Sequence, residues 1–445
     1  MSFTEKPSFW SRLLGRTGGT DAAFVDPTAL EAKPTPIELQ PLSANGRTAK
    51  LRDPSFPSFA SRPGAGTSSN PAASQMRNVR NAFTPSHPVS DPQLFAGRRA
   101  LLEKIVSLLE DQHLHLVLYG DRGIGKTSIL RILAQLAKDA DYSVSYTSCG
   151  QDTEFDSLVR GIARRIPLMF HKDFAPTDRE VENGGTLESL LHTGQINVSD
   201  ATSLFENLRG THFLILLDEF DRVSSSTMRH QIAELIKNLS DRGAPIQFVI
   251  AGVASNLTAL FSHIPSIRRN LIGMPVYRMS EAETDQLVDL GVQRSLLQIS
   301  SEARERLISL CFGLPYIAQL LGLHASSIAI RRSSTRIEIQ DIDDAAQVAE
   351  IEIGLRLSDQ SRLIIEQECR ECRFDVLSEL AMSVISDGEE LPDVEISRLD
   401  PKTRSKLISA TDNRFNEEAA VPYILLLSRH LEPQKTVLSG RVSNF

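Results

Sequence analysis

The sequence predicts an α/β fold, in which a parallel five-stranded sheet with helices on both faces is followed by helical regions. Short apolar runs of strand length alternate with helical spacing between residues 91 and 279, and this alternation is typical of parallel sheets buried on both faces. The first apolar run ends in a glycine-rich loop that leads into a helical pattern. Beyond residue 280 the strand patterns nearly cease, so we expect two mostly helical domains over 280–357 and 358–445.

Chain length and composition agree with a globular protein of two or three domains. The chain has 445 residues, of which 41% are hydrophobic, and a domain usually holds about 100 to 200 residues. No apolar run approaches the ~18 residues that a membrane span needs, and the first residues lack the apolar segment of a secretory signal. We therefore expect a cytoplasmic protein with no transmembrane segment and with reduced cysteines.

Residues 1–90 are predicted to be a disordered tail. They hold 11 of the 22 prolines together with Ser- and Gly-rich stretches, and such a segment buries too little apolar surface to offset the entropy of ordering it. The tail carries a net charge of +4 and the rest of the chain −12. Near its start Phe9, Trp10, Leu13 and Leu14 share one helical face. They form a docking peptide or membrane-surface anchor, or merely a stray apolar patch.

The predicted elements follow in a regular order from residue 91. A helix over 99–109 precedes a first strand over 113–119. Later strands are predicted at 142–148, 212–217, 246–251 and 275–279, and helices near 128–136, 155–166, 201–208, 228–239 and 257–261. The stretch 167–200 shows little periodicity and is interpreted as an insertion. Ser280 and Glu283 form a capping-box pattern, which predicts the start of a helix.

A phosphate-binding loop follows the first strand. Its residues match the pattern G-x-x-x-x-G-K-[ST] between an apolar strand and a helix, which is the context that this motif requires. They are Gly120, Asp121, Arg122, Gly123, Ile124, Gly125, Lys126 and Thr127, followed by Ser128. The glycines let backbone amides turn toward phosphate oxygens, and the helix directs its positive end at them. Lys126 is predicted to reach the β- and γ-phosphates, and Thr127 to supply its hydroxyl to Mg²⁺.

A pair of carboxylates follows the apolar run over 212–217. Asp218 and Glu219 come directly after it, and in a parallel sheet ligands bind at the carboxyl ends of the strands. We predict that Asp218 holds Mg²⁺ through water and that Glu219 orients and deprotonates the hydrolytic water. Asp221 is interpreted first as a helix cap or an ion-pair partner.

Polar residues around the last two strands complete the predicted site. Ser255 and Asn256 follow the strand over 246–251; one of them senses the γ-phosphate, or they merely cap the next helix. Arg268 and Arg269 precede the last strand. They act as an arginine finger toward a neighbouring subunit, or they are solvated charges at a helix end.

Taken together, these motifs resemble those of the AAA+/STAND branch of P-loop NTPases, and in particular of bacterial origin-recognition-like ATPases. The segment that contains Phe95, Gly97 and Arg98 looks like a motif that packs near the adenine in those families. Gly313-Leu-Pro315 is similar to a motif of the STAND lid, in which the proline approaches the nucleotide. The resemblance spans about residues 91–355. It implies that the nucleotide is ATP and that 280–357 is a lid.

The chain departs from this family pattern in two respects. No lid arginine matches the nucleotide-sensing arginine of the family, because Arg304 and Arg306 are equally well interpreted as surface charges. Slow hydrolysis is therefore expected. The resemblance also implies a winged helix within 358–445, but the basic residues that DNA contact requires stand there among many acidic ones.

The sequence therefore predicts an ATPase that uses ATP and Mg²⁺ and couples nucleotide state to a change in conformation or oligomeric state. Its expected partners are ATP or ADP and either a second copy of the chain or another protein. One alternative is an assembly factor of the initiator or transposition-helper kind, in which ATP controls loading on DNA; the acidic body of the chain argues against it. Another is a signalling scaffold whose first 90 residues recruit a partner.

Overall fold

A large parallel sheet and a mostly helical second half make up the part of the chain that is described. The computed structural model describes residues 71–254, 260–261, 269–370, 374–387, 391, 393–409, 413–417 and 419–428. Within these ranges, no helix combines the length and the hydropathy that crossing a membrane requires.

The large sheet has five strands. In chain order they are β1 (His115–Tyr119), β2 (Ser143–Ser148), β3 (Phe213–Asp218), β4 (Ile246–Gly252) and β5 (Leu271–Pro275). The spatial order is β2-β3-β4-β1-β5 and every neighbouring pair is parallel, which confirms the predicted sheet. All carboxyl ends therefore meet at one edge, where β1 leads into the glycine-rich loop and β3 ends at Asp218.

The last strand starts at Leu271 rather than at residue 275, where the sequence pattern placed it. β5 pairs with β1 over its whole length, from Leu271 opposite His115 to Pro275 opposite Tyr119. The apolar pattern continues past the strand because Val276 is buried against the sheet and the helices beside it, and Met279 enters the core of the second half. Burial outside a strand therefore imitated a strand pattern.

Helices pack on both faces of the sheet. Up to the end of the sheet the chain forms α1 (Pro71–Ala82), which packs against helices of the second half, and then α2 (Arg99–Glu110), α3 (Lys126–Asp139), α4 (Phe155–Ala163), α5 (Arg179–Glu182), α6 (Val198–Phe205) and α7 (Ser226–Asp241). Side-chain caps fix some of these starts: the Ser225 hydroxyl accepts from the Met228 amide, and Asn197 forms a capping box before α6. The predicted insertion links α4 to α6 through short helical turns, and Leu168 and Leu187 anchor it in the core.

The second half of the chain is helical. Its first part, the lid, consists of α8 (Glu281–Arg294), α9 (Ser301–Cys311), α10 (Pro315–Arg331) and α11 (Ile339–Gly354), with a short parallel pair of β6 (Gln298–Ile299) and β7 (Arg336–Ile337). Ser280 and Glu283 form the predicted capping box at the start of α8. The next helices are α12 (Asp359–Arg370), α13 (Phe374–Asp387), α14 (Asp393–Ile396), α15 (Pro401–Leu407) and α16 at 420–428. After α15, Ile408 pairs with Phe415 in an antiparallel bridge.

The first described helix corrects the predicted extent of the disordered tail. α1 lies inside the stretch 1–90, and Val79 and Phe83 are buried in the core that the lid helices form. The composition of the tail did not indicate this helix, because its packing partners come from the lid, far along the chain. Residues 1–70, including Phe9 and Trp10, lie outside the described residues.

Candidate functional site

The glycine-rich loop wraps around the start of α3. Gly120, Gly123 and Gly125 have φ values of 145°, 73° and 97°, which residues other than glycine rarely adopt. A Cβ at Gly120 would lie 2.5 Å from the carbonyl oxygen of Val276, so the loop can pass this close to the end of β5 only as glycine. The Nζ atom of Lys126 donates to the carbonyl of Gly120 and to that of the next residue, both at 2.7 Å. The ammonium is thus held inside the loop.

A cavity of about 310 Å³ opens at this edge of the sheet, and we call it the nucleotide cleft. The loop after β1, the end of β3, the segment 84–98 and the start of α10 form its walls. The predicted site residues that line it are Phe95, Arg98, Arg122, Gly123, Ile124, Gly125, Lys126, Thr127, Ser128, Asp218, Glu219 and Pro315. Gly97, Gly120 and Asp121 adjoin these lining residues in the chain. The fold therefore brings four separate sequence motifs to one cavity.

Asp218 is held in place by hydrogen bonds at the end of β3, where it is buried to 3% exposure. Its Oδ2 accepts from the hydroxyl of Tyr146 at 2.7 Å, and its Oδ1 accepts from the amide of Glu219 at 2.9 Å. Burial, together with the bond to Asp218, raises the pKa of Tyr146 above its usual range, so the phenol remains a donor. Two donors from different residues thus fix the orientation of this carboxylate.

Glu219 is tethered at the rim of the cleft. Its backbone is in the left-handed region with a φ of 54°, and its side chain is 37% exposed. The Oε2 atom accepts from the hydroxyl of Ser148 at 2.9 Å and pairs with the guanidinium of Arg222 at 3.0 Å. Ser148 ends β2 directly opposite Asp218 in the register of β2 and β3. Two donors from different elements therefore fix the carboxylate that the sequence assigns to base chemistry.

The wall opposite β3 carries Arg98, which is buried to 5% exposure. Its Nη2 donates to the carbonyl of Tyr277 at 2.6 Å, and its amide donates to Oε1 of Glu283 at 2.9 Å. Burial lowers the pKa of Arg98, and the charge of Glu283 acts against that shift. The Nε and Nη1 atoms have no hydrogen-bond partner among the described residues. Since unsatisfied buried donors cost free energy, a polar ligand group in the cleft would satisfy them.

The lid closes the cleft through the first turn of α10. Pro315 is the first residue of this helix, and its Cγ lies 3.8 Å from the position that a Cβ on Gly125 would take. Proline is favoured at a first helical position because its missing amide has no helical partner there. Pro315 therefore lies beside the phosphate-binding loop.

Burial perturbs two charged groups beside the loop. It raises the pKa of Asp121, while the positive charges of Arg278, Lys126 and Arg414 oppose this. It lowers the pKa of Arg278 to about 10, and the charge of Asp121 opposes that shift. Arg278 also donates to the carbonyl of Phe312 at 2.7 Å. The loop is thereby linked electrostatically to the segment that leads into the lid.

Three other predicted residues, Ser255, Asn256 and Arg268, lie outside the described part of the chain. Arg269 is exposed and precedes β5, so it lies at the amino edge of the sheet, away from the cleft. Asp221 does line the cleft, and it accepts from the amide of Val253 at 2.9 Å, which ties the loop after β3 to the end of β4.

The two lid arginines considered from the sequence form ion pairs. Arg304 pairs with Asp285 and Asp289 at 2.7 and 3.0 Å, and Arg306 pairs with Asp343 at 2.9 Å. These contacts join neighbouring lid helices, which agrees with their interpretation as surface charges. Neither arginine lines the nucleotide cleft.

Sequence reasoning missed several residues of the site. Ser148, Tyr146 and Arg222 bind the two carboxylates, and the strap, which we define as Thr84–Val89, covers the cleft. The register of β2 against β3 would have revealed Ser148, since the last residues of the two strands are paired. No sequence signal marked the strap, because it lies in the Pro-rich stretch predicted to be disordered.

Comparison with protein families matches residues 94–250 to the family described as "AAA ATPase domain". The matched range begins at the Phe95–Arg98 segment and ends in β4, so it includes the phosphate-binding loop and both carboxylates of β3. No curated protein matches the chain.

The chain is also similar to solved structures of low sequence identity. The RuvB Holliday junction branch migration motor of Thermotoga maritima is 15% identical, with a TM-score of 0.42, over 77% of this chain and 97% of that one. The Orc1 protein of Aeropyrum pernix, solved in complex with DNA, is 16% identical with a TM-score of 0.41, over 77% and 84%. A Walker-type ATPase of Pyrococcus abyssi is 16% identical with a TM-score of 0.45, over 76% and 98%.

Proposed function

We propose that this chain, whose residues 94–250 match the AAA ATPase domain family, is an ATPase that couples the binding and hydrolysis of ATP in the nucleotide cleft to a change in conformation or oligomeric state. One observation carries this proposal. The same cavity is lined by the phosphate-binding loop, by both carboxylates of β3 and by Pro315 of the lid. A nucleotide bound there would contact the sheet and the lid at once.

The binding roles follow from the geometry of the loop. The amides of the loop and the amino end of α3 suit the phosphates, because a helix start presents free amides and partial positive charge. Lys126 would exchange its two carbonyl contacts for phosphate oxygens. Phe95 and the unsatisfied donors of Arg98 lie on the wall where we place the adenine and ribose.

Thr127 and Asp218 are the residues that we assign to Mg²⁺. Both line the cleft, and they offer a hydroxyl and a buried, hydrogen-bonded carboxylate. Oxygen ligands of this kind fit Mg²⁺, which takes few protein ligands beside phosphates and water. When bound, the ion would neutralise charge on the phosphates during transfer.

Glu219 is the residue that we assign to the attacking water. A carboxylate at the cleft rim can orient a water molecule and accept its proton. The hydrogen bond from Ser148 and the ion pair with Arg222 hold the carboxylate in place. Turnover therefore requires that Glu219 exchange at least part of these contacts for the water, a step that would slow hydrolysis.

The coupling is tested by comparing two nucleotide states of the full-length chain. Sedimentation velocity of a Glu219→Gln variant with ATP and Mg²⁺ gives the ATP-bound state, and the wild-type chain with ADP gives the product state. We expect different sedimentation coefficients, from a compact lid or from self-association. Identical profiles in the two states, with nucleotide bound in both, would contradict the coupling.

A second candidate, ATP-controlled loading on DNA, is favoured by one observation. The short helix α15 exposes Lys402, Arg404 and Lys406 and contains no acidic residue, and a hairpin bridge follows it. A helix with exposed cations beside a hairpin is a plausible element for contacting nucleic acid. This surface lies on a chain with a net charge of −8, so we rank it second.

DNA binding is tested by the salt dependence of duplex affinity with and without ATP. Each phosphate contact contributes about −0.9 to the slope of log affinity against log salt. Replacing all three cations of α15 by alanine should therefore reduce the slope by about 3 units. An unchanged slope would remove α15 from any DNA interface, and no measurable affinity in the wild-type chain would remove the candidate.

A further inference from the structure

The strap forms one wall of the nucleotide cleft. All six of its residues line the cleft, and Ser86, His87 and Pro88 are exposed on the outside. At one end the Thr84 amide donates to Oε1 of Gln319 at 2.9 Å, and at the other end the Val89 amide donates to the Ser128 hydroxyl at 3.2 Å. The strap therefore spans from α10 of the lid to α3 after the phosphate-binding loop.

Phe83, the residue before the strap, is held in a notch between two lid helices. Its side chain is 1% exposed. A Cβ on Gly291 of α8 would come within 2.2 Å of the Phe83 ring, and a Cβ on Gly322 of α10 within 2.3 Å. Both glycines lie inside helices, where glycine is less favourable than alanine. The notch therefore exists because Gly291 and Gly322 have no side chain at the two helix positions that face the Phe83 ring.

The notch, the strap and the cleft are connected through α10. Pro315, Gln319 and Gly322 are spaced four and three residues apart on this helix, and residues with that spacing share one helical face. Pro315 lines the cleft, Gln319 accepts the hydrogen bond from the strap, and Gly322 faces Phe83. One helical face thus fixes the position of the strap relative to the cleft.

We propose that the strap is a gate over the nucleotide cleft and that Phe83 in the Gly291–Gly322 notch is the latch that sets the rate at which nucleotide enters and leaves. This inference rests on the proposed function, because it assumes that the cleft binds nucleotide. With the ring seated, the strap holds its contacts at both ends and covers the cleft. With the ring out of the notch, the end next to Phe83 is released and the cleft opens.

The gate is tested by the exchange kinetics of a fluorescent nucleotide, N-methylanthraniloyl-ADP, on the full-length chain. For Phe83→Ala we expect the dissociation rate constant and the association rate constant both to rise, by about tenfold, with a smaller change in Kd. Phe83→Leu, which retains part of the buried contact, should give an intermediate effect. A rise in dissociation alone would mean that the strap is a contact surface and not a gate, and would overturn the proposal.

The glycine side of the notch gives an independent test. Gly322→Ala places a methyl group where the ring lies and should raise both rate constants as Phe83→Ala does. In the double variant the methyl group has room, so its rates should equal those of Phe83→Ala alone. Gly161→Ala is the matched control, because Gly161 is also helical and a Cβ there meets nothing within 4 Å. Additive effects in the double variant would contradict the latch.

A readout without nucleotide separates failure of the gate from failure of the proposed function. Hydrogen exchange of the amides over 76–89 reports whether the strap is released, and exchange of the sheet strands reports whether each variant is folded. Released strap amides with unchanged nucleotide rates would overturn the gate alone. A folded wild-type chain that binds no nucleotide would overturn the proposed function, and the gate with it, whatever the exchange of the strap shows.

Discussion

The two walls of the nucleotide cleft are built in different ways. The sheet wall, formed by the loop over 120–128 and the ends of β2 and β3, is assembled from residues that are neighbours in sequence or in strand register. The cover wall, formed by the strap and the first turns of α10, is assembled by long-range packing around Phe83. The difference teaches that the residues to which we assign the chemistry are positioned by local sequence, whereas the strap is positioned by long-range packing.

The largest effect is expected from the sheet wall. Lys126→Ala removes the side-chain cation that the sequence predicts on the β- and γ-phosphates. Hydrogen bonds to charged groups contribute about 1.5 to 3 kcal/mol each. We expect ATP affinity to fall by about 100-fold or more, measured by equilibrium titration. Lys138→Ala, an exposed lysine at the other end of α3, is the control. Normal affinity of Lys126→Ala would mean that the loop does not hold the phosphates.

Acid should destabilise the strand that carries the sheet wall. Burial lowers the pKa of His115 to about 4, and its Nδ1 accepts from the Phe248 amide at 3.0 Å, a bond that protonation breaks. Because the folded-state pKa lies below the ordinary value of 6.5, the stability that His115 contributes is present above pH 6.5 and is lost as the pH falls toward 4. We expect a loss of about 2 kcal/mol between pH 6.5 and pH 5.

Urea denaturation at these two pH values measures this loss. His115→Gln should reduce it, whereas His113→Gln, at an exposed position two residues earlier, should leave it unchanged. An equal loss in the wild-type chain and in His115→Gln would assign the acid sensitivity to other groups.

The smallest effect is expected from the hydrogen bond that Ser148 donates to Glu219 in the sheet wall. Ser148→Ala removes one of the two donors to Oε2 of Glu219, which frees the carboxylate to turn toward the attacking water. We expect the hydrolysis rate to rise about threefold with unchanged ATP affinity, since one hydrogen bond contributes about 0.5 to 1.5 kcal/mol. Ser143→Ala, at the other end of β2, is the matched control. A lower rate in Ser148→Ala would show that this bond positions Glu219 for catalysis.

The difference between the two walls also explains which features of the fold and of the site can be predicted from the sequence. The order of strands and helices, the loop over 120–127 and the pair Asp218-Glu219 were predicted, because each depends on local periodicity or on spacing within a few residues. The start of β5 was misplaced, since burial of Val276 outside the sheet imitates a strand.

The cover wall could not be predicted from the sequence. Phe83 stands in a proline-rich stretch, and the two glycines that receive its ring stand in helices far along the chain. Nothing in their local sequence distinguishes these glycines from others. Ser148 and Arg222 are intermediate cases, because they bind Glu219 through strand register and through a single turn after β3.

The most direct test of the account is single-turnover hydrolysis of ATP by the full-length chain with Mg²⁺, comparing the wild type with Glu219→Gln, while ATP affinity is measured separately for both. The account predicts that Glu219→Gln binds ATP with an affinity within about twofold of the wild type, and that its hydrolysis is slower by about 100-fold or more, as for loss of a general base. Equal hydrolysis rates in the two proteins, with both binding ATP, would contradict the assignment of Glu219 and of this cleft as the hydrolytic site.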